Sequence, residues 1–166
     1  MNDIQTIKRK GYNVYFQDVN TNGYKESELV ELIYMANEFE PVSFGIVDTF
    51  GSMYLDDLEK IWDIVDTHLD KNIAVDFHSH NNMQMSFALT QRLIKLTGNR
   101  RKLIIDATLN GMGKCAGNLN TELIVDFLTR KYNYDYDTDI VLDAIDGYLP
   151  PFKRRMEWGY SIPAFM

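Results

Sequence analysis

Asn72-Ile73-Ala74-Val75-Asp76-Phe77-His78 is an apolar, β-rich run; the polar residues Ser79-His80-Asn81-Asn82 close it, and a helical stretch from Met83 to Leu96 follows. The same order occurs three more times. Asn13-Val14-Tyr15-Phe16-Gln17-Asp18-Val19-Asn20 leads into a helix from Lys25 to Glu38, and Ser43-Phe44-Gly45-Ile46-Val47-Asp48 into one from Leu55 to Leu69. Lys102-Leu103-Ile104-Ile105-Asp106-Ala107 leads into a helix from about Asn120 to Arg130. In the second helix Leu55, Leu58, Ile61, Trp62, Val65 and Leu69 recur at three- and four-residue steps, the stripe of one buried face. Strands alternating with helices of this length predict right-handed βαβ units and a parallel sheet, an α/β fold. The strand starts recur about every 30 residues, the period of a (β/α) barrel or of a doubly wound sheet. Each strand ends in polar residues: Asp18 and Asn20, Asp48 and Thr49, His78 and His80, Asp106 and Thr108. Parallel sheets place ligands at the carboxyl ends of their strands, so these side chains converge if the sheet curves. Four units make half of an eight-stranded barrel.

The remaining features bound the answer. A chain of 166 residues is about one domain and long enough for a core. With 17 Lys and Arg against 24 Asp and Glu the net charge is −7, which argues against nucleic-acid and membrane-surface partners. No apolar run is long enough to span a bilayer, and the N-terminus lacks the apolar core of a signal peptide. The single cysteine, Cys115, excludes a disulfide framework and fits a reducing cytoplasm. Residues 1–131 carry the βα units. Residues 132–166 change character: a polar aromatic connector, a short helix from Ile140 to Ile145, and a Pro150-Pro151 pair expected to stop regular structure. The aromatic tail with Trp158, Tyr160 and Phe165 is expected to wrap the body or contact a partner.

Two sites carry chemistry. His78 and His80 leave a strand on the same face, with Cα atoms roughly 6–7 Å apart, so both imidazoles can reach one ion. Two imidazoles completed by oxygen ligands suit Mn, Zn, Fe or Co, and also Mg; the plain alternative is two surface histidines at a strand end. The second site is the loop Asn110-Gly111-Met112-Gly113-Lys114-Cys115-Ala116-Gly117-Asn118. It has three readings: a loose dinucleotide fingerprint, a tight glycine turn, or a loop that presents the Asn118 carbonyl to the ion held by the histidines. The fingerprint lacks its following strand and ribose-binding acid. Lys114 could activate Cys115, although a lone cysteine is more often inert. Asp48, Thr49 and Asp106 are candidates to orient the histidines through their second ring nitrogen, with Asn20 at the neighbouring strand end. For Asp106 a role in pinning loop backbone is the alternative. His68 and the basic turn Asn99-Arg100-Arg101-Lys102 read as solvated charge.

Asp48-Thr49-x-Gly51, His78-x-His80-Asn81, and Gly111-x-Gly113 leading to Gly117-Asn118 fall in this order at successive strand ends. Over roughly Gly11 to Leu128 this pattern resembles the DRE-TIM metallolyases, the pyruvate carboxyltransferase and hydroxymethylglutaryl-coenzyme A lyase-like superfamily. Its aldolase branch, typified by 4-hydroxy-2-oxovalerate aldolase, is nearest, because the glycine loop is short. The resemblance implies a partial TIM barrel, the second half of a (β/α)8 barrel. It implies a divalent metal on His78 and His80, with Asn118 as a further ligand; Mn is the first choice, with Mg, Zn or Co as alternatives. Asp48 and Thr49 correspond to the family's Asp-Thr pair, and Gly111, Gly113 and Gly117 shape the loop. The implied reaction is C–C bond cleavage or formation on a 2-oxo acid such as pyruvate, through a metal-stabilised enolate. No Arg-Asp pair exists in the chain, so the family's catalytic arginine and the aspartate ligand beside it have no counterpart. An open half-barrel leaves two strand edges unpaired, which implies a homodimer or a missing N-terminal half-barrel, and little activity alone. A non-catalytic half-barrel that serves assembly or interaction is the rival expectation.

Overall fold

The computed structural model describes residues 2–161, and Phe165 of the expected aromatic tail lies outside them. The elements run α1 (Asn2–Arg9), β1 (Tyr15–Gln17), α2 (Glu26–Phe39), β2 (Ser43–Asp48), α3 (Leu55–His68), β3 (Ala74–Ser79), α4 (Ser86–Thr97) and β4 (Leu103–Ile105). They continue with α5 (Thr121–Tyr132), α6 (Thr138–Tyr148) and α7 (Pro150–Lys153). All four strands are parallel in one sheet, in the order β1-β2-β3-β4. A doubly wound sheet reverses strand order at its centre; an unbroken sequential order is that of a barrel. The fold is a partial (β/α) barrel of four βα units.

Strand parity divides the sheet into two faces. Phe44 and Ile46 of β2 and Val75 and Phe77 of β3 pack with Leu29 and Ile33 of α2, Trp62 and Val65 of α3, and Leu89 and Leu93 of α4 into one buried core. The opposite face carries Gln17, Ser43, Gly45, Asp76 and His78, and its polar character continues to Asp106 just past β4. β2 and β3 are buried almost throughout, and that is why they read as near-continuous apolar runs. β1 and β4 are the two sheet edges and hold three residues each, shorter than the apolar stretches around them. No helix among the described residues is long and apolar enough to cross a membrane.

Several local expectations are corrected. The third βα helix begins at Ser86 rather than Met83, because Gln84 takes a left-handed φ of 59° and Asn81 Oδ1 accepts from Ser86 N and Oγ at 3.2 and 2.8 Å. The helix placed at Ile140–Ile145 is longer, with Asp137 capping it by accepting from Asp139 N and Ile140 N. Pro150-Pro151 does not end regular structure. It opens α7, where proline's missing N–H falls among donors that have no intrahelical partner. The basic turn is not solvated throughout: Arg101 is buried and donates to the carbonyls of Leu69, Asp70 and Ile73 at 2.6–2.8 Å. These are carbonyls of the α3–β3 connection, which a five-donor guanidinium satisfies together. His68 is half-buried, not solvated, and its Nδ1 lies 3.1 Å from Tyr34 Oη.

Candidate functional site

The two histidines are held by different acceptors. His78 Nδ1 lies 3.0 Å from Asp106 Oδ2, and His80 Nδ1 lies 3.1 Å from the Asp48 carbonyl oxygen. With an oxygen acceptor on each Nδ1, the proton sits there and each Nε2 keeps its lone pair. The rings are 5.1 Å apart between centroids and inclined at 69°. The hydrogen bond to the Asp106 carboxylate pushes the His78 pKa up, and the same bond holds Asp106 below its ordinary value.

The glycine loop reaches this pair from the β4 side. Asn118 forms an antiparallel bridge with His80, and Asn81 N donates to Gly117 O at 2.8 Å. Gly117 has φ 88°, and a Cβ on it would run into the Gly111 carbonyl, so the crossing of the loop on itself requires glycine here. Gly111, also at positive φ, accepts from Asn118 N at 3.0 Å, and Gly113 lies against the Asn118 amide. Asn118 Nδ2 donates to Met112 O at 3.2 Å, which fixes the orientation of the amide. Its Oδ1 is buried without a protein hydrogen-bond partner, as is Thr108 Oγ1. Both residues line a cavity of about 330 Å³ together with His78, Ile105, Asp106 and Ala107. Buried polar atoms are rarely left unpaired, and the Asn118 amide oxygen is one such atom, in a residue that lines the same cavity as His78. The donors fit a divalent ion: two imidazoles and one amide oxygen. Among the described residues no group of three or more His, Cys, Asp or Glu side chains is placed to share an ion.

The loop's own hydrogen bonds bear on the dinucleotide reading. Gly117 N donates to Lys114 O and Asn118 N to Gly111 O, and α5 begins only at Thr121. These amides are spent inside the loop rather than presented to a phosphate. The C-terminal tail closes over its outer side: Trp158 Nε1 donates to Asn110 O at 2.8 Å and Gly159 N to Cys115 O at 3.2 Å. Wrapping by Trp158 is therefore seen, while Tyr160 stays exposed. Cys115 is exposed at a left-handed φ of 54°.

The other strand-end residues do not all meet the histidines. The Asp48 carboxylate turns to the loop that follows it, accepting from Ser52 N at 2.9 Å and Met53 N at 3.3 Å, and burial pushes its pKa up. The hydrogen bond from His80 Nδ1 goes to the Asp48 backbone carbonyl, not to this carboxylate. Thr49 Oγ1 accepts from Asn20 N at 2.7 Å, tying the ends of β1 and β2 together. No arginine lines the cavity. Three residues of the polar face carry no strand-end signal: Gln17, Ser43 and Asp76. Gln17 Nε2 donates to Asp76 Oδ1 at 3.1 Å and to Asp106 Oδ2 at 2.8 Å, while Ser43 Oγ donates to Asp76 Oδ2 at 2.5 Å. A charged residue inside an apolar strand, at i−2 from a histidine, was the available clue.

A half (β/α) barrel with a His-x-His strand end and a glycine loop folded onto it is the class that fold and site define. The profile of the HMGL-like family matches residues 2–146, and the chain belongs to that family. It is 27% identical over 142 residues to oxaloacetate decarboxylase of Mycobacterium tuberculosis, covering 85% of this chain and 40% of that one. It is 35% identical over 86 residues to 4-hydroxy-2-oxovalerate aldolase of Pelotomaculum thermopropionicum, covering 51% of this chain and 24% of that one. Among solved structures, hydroxymethylglutaryl-CoA lyase from Pseudomonas aeruginosa superposes with a TM-score of 0.79 at 12% identity, over 98% of this chain and 56% of that one. At that identity the likeness is one of fold. The chain spans less than half the length of these curated relatives. The family resemblance carried by the three motifs therefore holds, and the relatives are enzymes of carbon–carbon chemistry.

Proposed function

We propose that this chain is the metal-holding half of a divalent-metal aldolase or lyase acting on 2-oxo acids such as pyruvate. The observation that carries the reading is the donor set itself: two Nε2 lone pairs fixed from behind, and a buried Asn118 Oδ1 with no protein partner. His78, His80 and Asn118 would hold the ion, with Mn preferred and Mg, Zn or Co accepted. A divalent cation bound there supplies Lewis-acid stabilisation of the negative charge that develops on a substrate oxo oxygen. The chain's residues set the stage for it. Asp106 and the Asp48 carbonyl keep both imidazoles in the tautomer that leaves Nε2 free. The glycine loop pairs the Asn118 backbone with that of His80, and Trp158 braces that loop. No arginine among the described residues lines the cavity to meet a substrate's oxo group, so turnover by the chain alone is expected to be low.

The test is proton–deuterium exchange at the pyruvate methyl group, followed by NMR with and without Mn²⁺. Exchange that needs Mn²⁺ and disappears in His78→Ala is expected. Exchange that proceeds unchanged without Mn²⁺ or in His78→Ala would contradict the reading, and metal bound without exchange would mean that the site needs its complementary half.

A second reading, assembly through the open half-barrel, is favoured by a separate observation. β1 and β4 each have an unpaired edge, and α6 buries none of its residues, leaving Ile140, Leu142 and Tyr148 exposed. It expects a stable oligomer, a homodimer or a pairing with a complementary half-barrel. Light scattering with and without chelator separates the readings, since an assembly module keeps its mass when metal is removed.

A further inference from the structure

Gln17 sits on the face of β1 that looks toward the histidines, two strands away from Asp76. In the sheet register Gln17 is level with Gly45, and Gly45 with Asp76. Two strand spacings separate their backbones by about 9–10 Å, too far for contact over an ordinary intervening residue. Gly45 leaves that row without a side chain: a Cβ there would stand 2.7 Å from Asp76 Oδ1 and 2.8 Å from Gln17 Cγ. Over this gap the Gln17 amide reaches both carboxylates, Asp76 Oδ1 at 3.1 Å and Asp106 Oδ2 at 2.8 Å. A primary amide nitrogen has two hydrogens, one for each. The Asp106 oxygen it grips is the one that accepts from His78 Nδ1 at 3.0 Å.

We infer that Gln17 is a positioning residue: by bridging Asp76 and Asp106 it holds the Asp106 carboxylate against His78 and keeps the His78 Nε2 lone pair free. Asp76 on β3 and Asp106 just past the neighbouring β4 carry like charges that repel. Without the bridge Asp106 moves away from Asp76 and out of line with the imidazole, and His78 relaxes toward the Nε2–H tautomer that an unconstrained neutral imidazole favours. The inference rests on the reading of His78 as a metal ligand through Nε2, and it adds how that state is imposed from β1.

Long-range proton–nitrogen correlation NMR of the histidine rings, recorded on the metal-free chain with the imidazoles neutral, reads the tautomer without any metal. The wild-type chain shows His78 as Nδ1–H. In Gln17→Leu the population moves toward Nε2–H, and Mn²⁺ affinity measured separately falls about tenfold. Adding Asp76→Asn to Gln17→Leu removes the repulsion and restores Nδ1–H. A role limited to tying β1 to the sheet would change stability and leave the tautomer alone. A folded Gln17→Leu chain that keeps His78 as Nδ1–H overturns the inference, as does a double variant that fails to recover. If Gln17→Leu does not fold, Gln17→Asn carries the same test, because its shorter side chain cannot reach both carboxylates. A tautomer change in Gln17→Leu with no Mn²⁺ binding even by the wild-type chain would sink the metal assignment and leave the role of Gln17 standing.

Discussion

Asp18→Asn should stabilise the protein at neutral pH and leave it nearly unchanged in acid. Asp18 lies just past β1 and is only 5% exposed. One carboxylate oxygen accepts from Thr21 Oγ1 at 3.1 Å; the other, Oδ2, is buried without a partner. Burial pushes the pKa up from 3.8 to about 6, and the charge of Asp76 acts in the same direction. Between those two values the folded chain binds a proton that the unfolded chain has released, so stability falls as pH rises through the window. Above about pH 6 the whole cost is present. At ~1.4 kcal/mol per pH unit, a window about two units wide costs on the order of 3 kcal/mol. Asparagine keeps an acceptor for Thr21 and has no charge to desolvate; its N–H group takes the position that the O–H of protonated Asp18 takes in acid. The net gain in base is therefore about 2–3 kcal/mol. Urea unfolding followed by circular dichroism, at about pH 4 and about pH 8, gives the numbers. The two proteins should unfold together in acid, with the variant's midpoint higher in base. A gap of the same size at both pH values, or a variant less stable at both, would refute the reasoning.

Other perturbations follow from the same geometry. Gly117→Ala forces a side chain into the left-handed region and against the Gly111 carbonyl; it should cost about 2 kcal/mol or more and weaken Mn²⁺ binding through displacement of Asn118, measured by unfolding and calorimetry. Arg101→Ala strips donors from three carbonyls at the α3–β3 connection and should lower stability by about 3 kcal/mol or more, read from the urea midpoint. Trp158→Phe keeps an aromatic ring, smaller than the indole, and loses the hydrogen bond to Asn110. It should cost about 1 kcal/mol and speed hydrogen exchange within the glycine loop.

The parts of the fold that sequence makes legible are those where one local pattern has one physical outcome. β2 and β3 show as apolar runs because both faces are buried, and α3 shows through the stripe Leu58, Ile61, Trp62, Val65. His78 and His80 are legible as a pair because i and i+2 on a strand share a face. Asp106 was identifiable as a partner for a ligand histidine from its strand-end position, and it is the residue that holds His78. Gln17 and Asp76 were not, since their meeting depends on the inter-strand register and on Gly45 lying between them. Arg101 looked like surface charge because nothing local shows that three carbonyls of a distant connection converge on it. Asp48 differs in another way: its carboxylate accepts from the loop at Ser52 and Met53, and the hydrogen bond from His80 goes to its backbone carbonyl.

The central claim is that His78, His80 and Asn118 form one divalent-cation site. Calorimetric titration of the chelator-treated chain with Mn²⁺ tests it most directly, beside the His78→Ala, His80→Ala double variant and Asn118→Ala. The account predicts saturable binding of one ion per chain, lost in the double variant and weakened in Asn118→Ala. Binding that persists unchanged in the double variant, or no binding by the wild-type chain, would contradict it.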